Sequence, residues 1–598
     1  MQRKVGAHYG KDEKCQFRVW APSAKNVEVV VKNRKNVIQL EKEEKGYWSK
    51  EVEGIPAGSY YKFRLDEEKE LPDPASKFQP EGVHSWSQVI DSEDYQWNDR
   101  GWKGLPMSQM IIYELHVGTF TKEGTFAAIE EKLDYLLELG ITAIEIMPIS
   151  AFPGNRNWGY DGVYPYATQE SYGTVKALKK LIDSCHEKGI AVILDAVYNH
   201  MGPEGNYLAE FGPYFTDKYT TPWGKAINFD DRQSDHVRNF FLQSALMWMK
   251  EFHFDGLRLD AIHEIIDRGA KHLLKELSEQ VDALEEETGR QYVLIAESDL
   301  NDTKIINDYS KGGFGLEAQW VDDFHHSLHT LITGENEGYY KDYGKMANLG
   351  KSLEQAFVYD GIYSNFRKRT IGNSPKGLPS SKFVVCIQNH DQVGNRMLGD
   401  RLSQLISFEK LKLAAGVMLT SSFVPMLFMG EEFAEDQVFQ YFVSHGDPDL
   451  VKAVQEGRKK EFEYFNQHGG EFPDPQSEET FNNSKLNWGF QEDGSKMAIF
   501  GLYKELIRLR KEGVFQAFYN EEKSSEADEE NRTLRLSAGG LTALYNFSED
   551  SQKMHLPEGE HQLVFASADK KWSGPQDFPQ KVSGAVNIPP ESLIICKS

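Results

Sequence analysis

The feature that most constrains this chain is a repeated rhythm in its middle two-thirds. Short apolar runs recur, from Met110 to Leu115, from Ile141 to Met147, then "IAVILDAV", "FDGLRLD", "YVLIAE", "FVVCIQNHD" and "VPMLFMGEE". Between several of them lie stretches with helical spacing of apolar residues: Thr125 to Leu139, Thr174 to Lys188, Asp235 to Glu251 and His272 to Glu287. Strands that alternate with helices pair in parallel and are covered on both faces, so they read as continuous apolar runs. Right-handed crossovers then leave a doubly wound sheet or a barrel. About eight units can be counted, the number of a (β/α)8 TIM barrel.

The flanks have a different rhythm. "CQFRVWAP", "NVEVVV" and "YYKFRL" run apolar or alternate, with "EGIPAGSY" as a turn, which predicts an immunoglobulin-like β-sandwich over residues 1–95. The barrel is expected over 96–514, its last helix being "SKMAIFGLYKELIRLRKEG" with Gly513 behind it. "TLRLS", "LTALYNF", "HQLVFA" and "ESLIIC" predict a C-terminal β-sandwich over 515–598. The Gly-, Pro- and aromatic-rich stretch 198–230, after the third strand, is too long for an ordinary connection and reads as a lid.

Composition narrows the partners. At 598 residues the chain exceeds what one core supports. Its formal charge of -25, from 92 acidic against 67 basic residues, repels nucleic acid and anionic membranes. Cys15, Cys185, Cys386 and Cys596 lie far apart, without the spacing of a zinc cluster or a disulfide framework. The amino terminus carries no apolar signal core, and no window approaches the roughly 20 apolar residues needed to cross a bilayer. A soluble, cytoplasmic protein is expected.

Four apolar runs end in carboxylates: Asp195, Asp260, Glu297 and Asp391. In a parallel barrel every strand opens on one face at its C-terminal end, so these groups converge. Two unit charges ~5 Å apart cost roughly 3 kcal/mol at an effective dielectric near 20, and a cation must relieve them. In "DGLRLDAIH" the period of a strand puts Arg258 on the same face as Asp260. Arg258 would keep Asp260 ionised, whereas Glu297, behind "YVLIA", has no cation adjacent in sequence, so desolvation and like charge should push it toward the protonated form. One ionised and one protonated carboxyl is what glycoside hydrolysis needs: Asp260 attacks the anomeric carbon, Glu297 protonates the leaving oxygen, and Asp391 faces the developing positive charge. His200 and His390 can hold sugar hydroxyls. An oxygen-rich cluster could instead bind calcium, but an Arg is misplaced among metal ligands, so neither a metal nor a cofactor is expected. Aromatics for stacking on pyranose faces are expected from Trp158, Tyr160, Tyr164 and Tyr166, with Tyr160 foremost, and from Trp320 and Phe324 after the sixth strand. His263 either lines the substrate site or caps its loop.

In order and spacing, "DAVYNH", "GLRLDAIH", "AES" and "QNHD" resemble the four conserved regions of the α-amylase superfamily of retaining α-glucan enzymes, glycoside hydrolase family 13. The resemblance implies Asp260 as nucleophile, Glu297 as general acid/base and Asp391 as transition-state stabiliser, with Arg258, His200, His390 and Tyr160 around the sugar that becomes covalently bound. A narrower resemblance, carried by "LPDPASKFQPEGVHSWSQV", "YELHVGTFTKEGTF", "YNHMGPEGNYL", "ESDLND" and "AQWVDDFHHSLH", is to the maltooligosyltrehalose trehalohydrolase family. It implies an α-1,4-glucan ending in trehalose, maltooligosyl trehalose, as substrate. Asp195, His263, Trp320, Asp322 and Asp323 join the expected substrate-binding residues, and Tyr207 and Phe229 of the lid are candidates for reading the α,α-1,1 linkage. Glycogen branching enzymes share "FMGEEF", but they usually carry a second Glu where Ser298 stands here. A non-catalytic glucan-binding homologue is the other alternative. Asn199, a calcium ligand in some α-amylases, has no companion Asp and Asn set in the early lid.

Overall fold

The structure, a computed structural model, describes residues 3–10, 13–463 and 472–598. Eight parallel strands close on themselves: β1 (Ile112–Leu115), β2 (Ala143–Ile146), β3 (Ala191–Ala196), β4 (Gly256–Leu259), β5 (Val293–Ala296), β6 (Ala318–Trp320), β7 (Phe383–Val385) and β8 (Val424–Phe428), with β8 pairing back onto β1. Inward-facing Ile112, Ala191, Ile193, Val293, Ile295, Val384 and Met426 fill the barrel, and Met107 and Met110 plug its N-terminal mouth. Neighbouring strands come unusually close where β4 begins. A Cβ on Gly256 would stand 2.3 Å from the carbonyl oxygen of Val293, so no larger residue fits there.

The outer ring is formed by α1 (Leu133–Leu139), α2 (Val175–Glu187), α3 (Ser234–Glu251), α4 (Leu273–Thr288), α5 (Asp322–Thr333), α6 (Phe408–Thr420) and α7 (Gly494–Lys511). Local signals set their ends. Thr174 caps α2 by accepting from the Ala177 N–H, Asp493 caps α7 through Ser495 and Lys496, and Gly289 ends α4 in the left-handed conformation. α7 packs on α1 and α6 and closes the ring. The helix expected from Thr125 to Leu139 is broken into Phe126–Glu130 and Leu133–Leu139. Only a 3-10 turn, Tyr309–Lys311, interrupts the loop from β5 to β6.

The N-terminal segment is a β-sandwich of two antiparallel sheets. One contains Gly6–Tyr9, Lys14–Trp20 and Tyr47–Glu53, the other Val27–Val31 and Tyr60–Leu65. Against it packs the lid after β3, a short helix (Leu208–Phe211) and a hairpin (Phe215–Thr221 with Gly224–Ile227). Tyr214 of the lid meets Trp20 edge-on at 5.2 Å, and Phe211 meets Phe63 at 6.3 Å. The lid base is pinned at Gly202, where a Cβ would stand 2.1 Å from the Asp161 carbonyl oxygen. Two further insertions carry elements that sequence periodicity did not single out: a hairpin after β6 (Ile362–Ser364 with Arg369–Ile371) and a long excursion after β8 that includes the helix Pro448–Glu463.

The C-terminal segment, expected as a sandwich, is instead a single six-stranded sheet. Its long strand Gln552–Ala566 shifts register twice. Such shifts bend a strand, and the sheet encloses a small core of Leu544, Met554, Leu556, Ile588 and Ile594. No helix among the described residues is long and apolar enough to cross a membrane.

Candidate active site

Register explains the site. Asp195 on β3 and Arg258 on β4 are paired positions of neighbouring strands, and both point into the barrel. Arg258 is fully buried, and one of its terminal nitrogens donates to both oxygens of Asp195 at 2.9 Å and to Asp260 Oδ1 at 2.7 Å. The other lies 3.8 Å from Glu297 Oε2. The guanidinium rests on the Trp320 ring, 4.2 Å from its centroid. Asn199 donates to Asp260 Oδ2 at 2.7 Å and to its backbone oxygen at 2.8 Å, so its amide is committed to the nucleophile candidate. Burial alone would push the Asp260 carboxyl up, but Arg258, His200 and Asn199 outweigh it and hold the group below the ordinary carboxylate range.

Glu297 has the opposite environment. Its Oε2 accepts the backbone N–H of Ala261 at 2.6 Å. Desolvation dominates, with Asp260, Asp322 and Asp391 adding like charge, and pushes it up to about 8. At neutral pH it carries a proton, while Asp260, one strand away, does not. Asp195 is pushed up to about 6 and Asp322 to about 7, in both cases chiefly by burial.

Asp391 is not at a strand end. β7 stops at Val385, and Asp391 is the second residue of a short helix, His390–Gly394, capped by Asn389. Its side chain stays 43% exposed and reaches toward His390 at 3.5 Å, facing the same pocket. Tyr160 lies across from it, its hydroxyl bonded to Asp195 Oδ2 at 2.5 Å and to His390 Nε2 at 2.7 Å. His200 is bonded to Asn199 and, at 3.0 Å, to the backbone oxygen of Tyr160. Burial lowers its pKa.

Several expected substrate contacts are placed elsewhere. Trp320 is the last residue of β6 rather than a residue beyond it, and braces Arg258 from below instead of presenting a face to the pocket. Asp323 turns away: Asn301, Tyr343 and the backbone N–H groups of Val358 and Tyr359 donate to it, so it fastens the insertion after β6. Its neighbour Asp322 looks toward Glu297 and Asp391. Trp158 stacks on Phe439, Tyr164 and Tyr166 donate to backbone oxygens, and Phe324 and Phe229 are buried in the core. Tyr207 is bonded to His84 of the sandwich at 2.7 Å. His263 is exposed, in the 3-10 turn Ile262–Glu264 beyond β4.

Other residues arrive at the site without having been expected there. Trp223, in the turn of the lid hairpin, is 50% exposed and lies flat on His200, with ring centroids 4.3 Å apart. Tyr339, exposed on the insertion after β6, stands near Asp322 and Asp391, and Arg367, paired with Asp299 at 2.9 Å, stands near Asp322. A Trp within the turn "TTPWGK" was the one available signal, since turns seldom need a large apolar side chain.

Residues 90–221 match the family described as the alpha amylase catalytic domain, and residues 4–80 match carbohydrate-binding module 48, the isoamylase N-terminal domain. The malto-oligosyltrehalose trehalohydrolase of Saccharolobus solfataricus is 47% identical over 538 residues, 90% of this chain and 92% of the relative. The chain belongs to the malto-oligosyltrehalose trehalohydrolase family. The chain is also 30% identical to the 1,4-alpha-glucan branching enzyme of Bacillus cereus, over 72% of this chain and 68% of the relative. Its fold matches the crystal structure of a putative alpha amylase from Salmonella typhimurium with a TM-score of 0.90, at 35% identity over 100% of both chains.

Proposed function

We propose that the enzyme is a retaining glycosidase that cuts the α-1,4-glucosidic bond next to the terminal trehalose of maltooligosyl trehalose and releases trehalose. The observation that carries the chemistry is the opposed protonation of two neighbouring carboxyls: Asp260 held ionised by Arg258 and Asn199, Glu297 held protonated by burial.

Asp260 attacks the anomeric carbon of the last glucosyl unit before trehalose. The bond to the trehalose oxygen breaks, its electron pair stays on that oxygen, and the Glu297 proton neutralises it. Glu297, now a carboxylate, takes a proton from water. The resulting hydroxide equivalent attacks the same carbon, the bond to Asp260 breaks, and two inversions leave the configuration unchanged. Asp391 faces the positive charge that builds on the ring in both steps. Tyr160, His200 and His390, whose polar atoms are bonded to one another and to Glu114, Asp195 and Asn199, wall the pocket around the attacked sugar, and Arg258 with Asp195 fixes the nucleophile. Trp223 and Tyr339 supply apolar faces for flanking rings, and Asp322 accepts from a hydroxyl. The reading requires no metal or cofactor. All four cysteines are free and buried, which suits a reducing compartment, and we place the enzyme in the cytoplasm.

Incubation with maltotriosyl trehalose should yield free trehalose by chromatography and the maltotriose α-anomer first by proton NMR. A branching enzyme would make α-1,6 branch points from amylose and no trehalose. A β-anomer would exclude the covalent Asp260 intermediate, and binding without cleavage would exclude the reading altogether.

A further inference from the structure

Strand β1 supplies no carboxylate to the sugar, yet it carries a buried one, Glu114, only 1% exposed. Both of its oxygens are spent on a single residue of the site. Oε2 accepts the backbone N–H of His390 at 3.0 Å, and Oε1 accepts from His390 Nδ1 at 2.5 Å. The other ring nitrogen, Nε2, faces the Tyr160 hydroxyl at 2.7 Å. Tyr160 has one proton, and it points to the Asp195 carboxylate at 2.5 Å, so Nε2 must be the donor in its own bond. With a carboxylate on Nδ1 as well, the ring is a donor at both ends, which is the imidazolium.

We propose that Glu114 is a positioning residue of the reaction: it holds His390 doubly protonated and oriented, and through it fixes the hydrogen-bond chain from His390 through Tyr160, Asp195 and Arg258 to the nucleophile Asp260. The proposal rests on the catalytic roles given above. The surroundings of His390 fit it. Burial would lower the His390 pKa, but Asp391 and Glu114 outweigh this and raise it to about 9 against the opposing charge of Arg258. Glu145, the position paired with Glu114 on β2, has no hydrogen-bond partner on either oxygen, and burial keeps it neutral. A second buried anion beside Glu114 is thereby avoided. His116, on the loop after β1, is pushed down to about 4 by burial and is neutral too. The remaining polar neighbours, Tyr160 and Asp195, already belong to the chain.

The test is the pH profile of kcat/KM for maltotriosyl trehalose with Glu114→Gln. A Gln can still accept from the backbone N–H, but it removes the anion. His390 should then titrate near the ordinary imidazole value of about 6.5, so activity should fall about tenfold at pH 7.5 relative to wild type and change little at pH 5.5. Glu114→Asp, which keeps the charge, should restore most of the alkaline activity, and it serves as the test should the Gln variant not fold. In a double-mutant cycle, Glu114→Gln should add nothing to His390→Gln. A loss that is equal at pH 5.5 and pH 7.5, an unchanged profile, or additive effects of the two substitutions would overturn the proposal. Since wild-type trehalose release is measured in the same assay, failure of the catalytic reading itself would be seen separately.

Discussion

The two ends of the barrel each bury a histidine among acidic groups, and they treat it differently. At the N-terminal end, His186 stands between Asp99 and Asp255, 2.9 Å from each. Asp255 also accepts from Trp102 Nε1 at 2.6 Å and from the Val192 N–H at 2.7 Å, and Asp99 takes His253 and Arg290. Neither nitrogen of His186 and neither oxygen of Asp255 lacks a partner, and the result is a clamp that fastens the segment before β1 to the barrel. At the C-terminal end the chain through His390, Tyr160, Asp195, Arg258 and Asp260 is just as dense but stops short. Arg258 Nε and its second terminal nitrogen have no hydrogen bond, and Asp391 is open to solvent. Buried polar atoms left unmatched are costly, and these two nitrogens belong to the guanidinium that holds Asp260 and lies 3.8 Å from Glu297. The difference between clamp and active site is saturation, not charge.

That contrast can be broken in order of expected effect. Asp260→Asn should lower kcat by about 10⁴-fold or more, the order seen when a nucleophile is removed, in an enzyme that is still folded at the assay temperature, since Arg258 keeps its bonds to Asp195. A variant that keeps a tenth of wild-type turnover would show that the open network does not hold the nucleophile. Glu297→Gln should cost about 10² to 10⁴-fold. Wild-type kcat/KM should decline above about pH 8, where the raised carboxyl of Glu297 loses its proton. The same shift has a stability consequence. With a folded pKa raised from 4.5 to about 8, the contribution to stability is fully present below the unfolded value, declines as pH rises above it, and is lost by about pH 8. Glu297→Gln should therefore raise the Tm more at pH 8 than at pH 5, and calorimetry showing the reverse would contradict the assigned protonation.

The clamp should respond the other way round. His186→Ala leaves Asp99 and Asp255 buried without their shared partner and should cost about 3–5 kcal/mol of stability, read by denaturant unfolding, while kcat of the folded enzyme at 25 °C stays within twofold. A parallel loss of kcat would mean that the two ends are coupled. Smallest is Trp223→Ala, which removes one stacking face and should raise KM by roughly two- to tenfold, from about 0.5–1.5 kcal/mol per aromatic contact; an unchanged KM would take the lid tip out of the binding surface.

The stretch "DGLRLDAIH" shows how much of this was legible in one dimension. Its Asp255 belongs to the clamp, and its Arg258 and Asp260 to the site. Strand period and the single open face of a parallel barrel were enough to put Asp195, Arg258, Asp260 and Glu297 together and to assign opposite protonation to the last two, because those follow from local alternation and from the cation's place on one strand. The eightfold rhythm determined the barrel for the same reason. The pattern could not tell Asp322 from Asp323: adjacent helix positions differ by about 100° in direction, and only the packed insertion after β6 says which one faces the sugar. Nor could it put Trp320 beneath Arg258, tie Glu114 to His390 across 276 positions, or lay Trp223 on His200, because each depends on where a distant element comes to rest. The sequence by itself determined that Asp195, Asp260 and Glu297 close the third, fourth and fifth strands, but not that Asp391 stands in a helix beyond the seventh; tertiary packing decided which charges are saturated and which are left open, since saturation requires partners that local order does not supply.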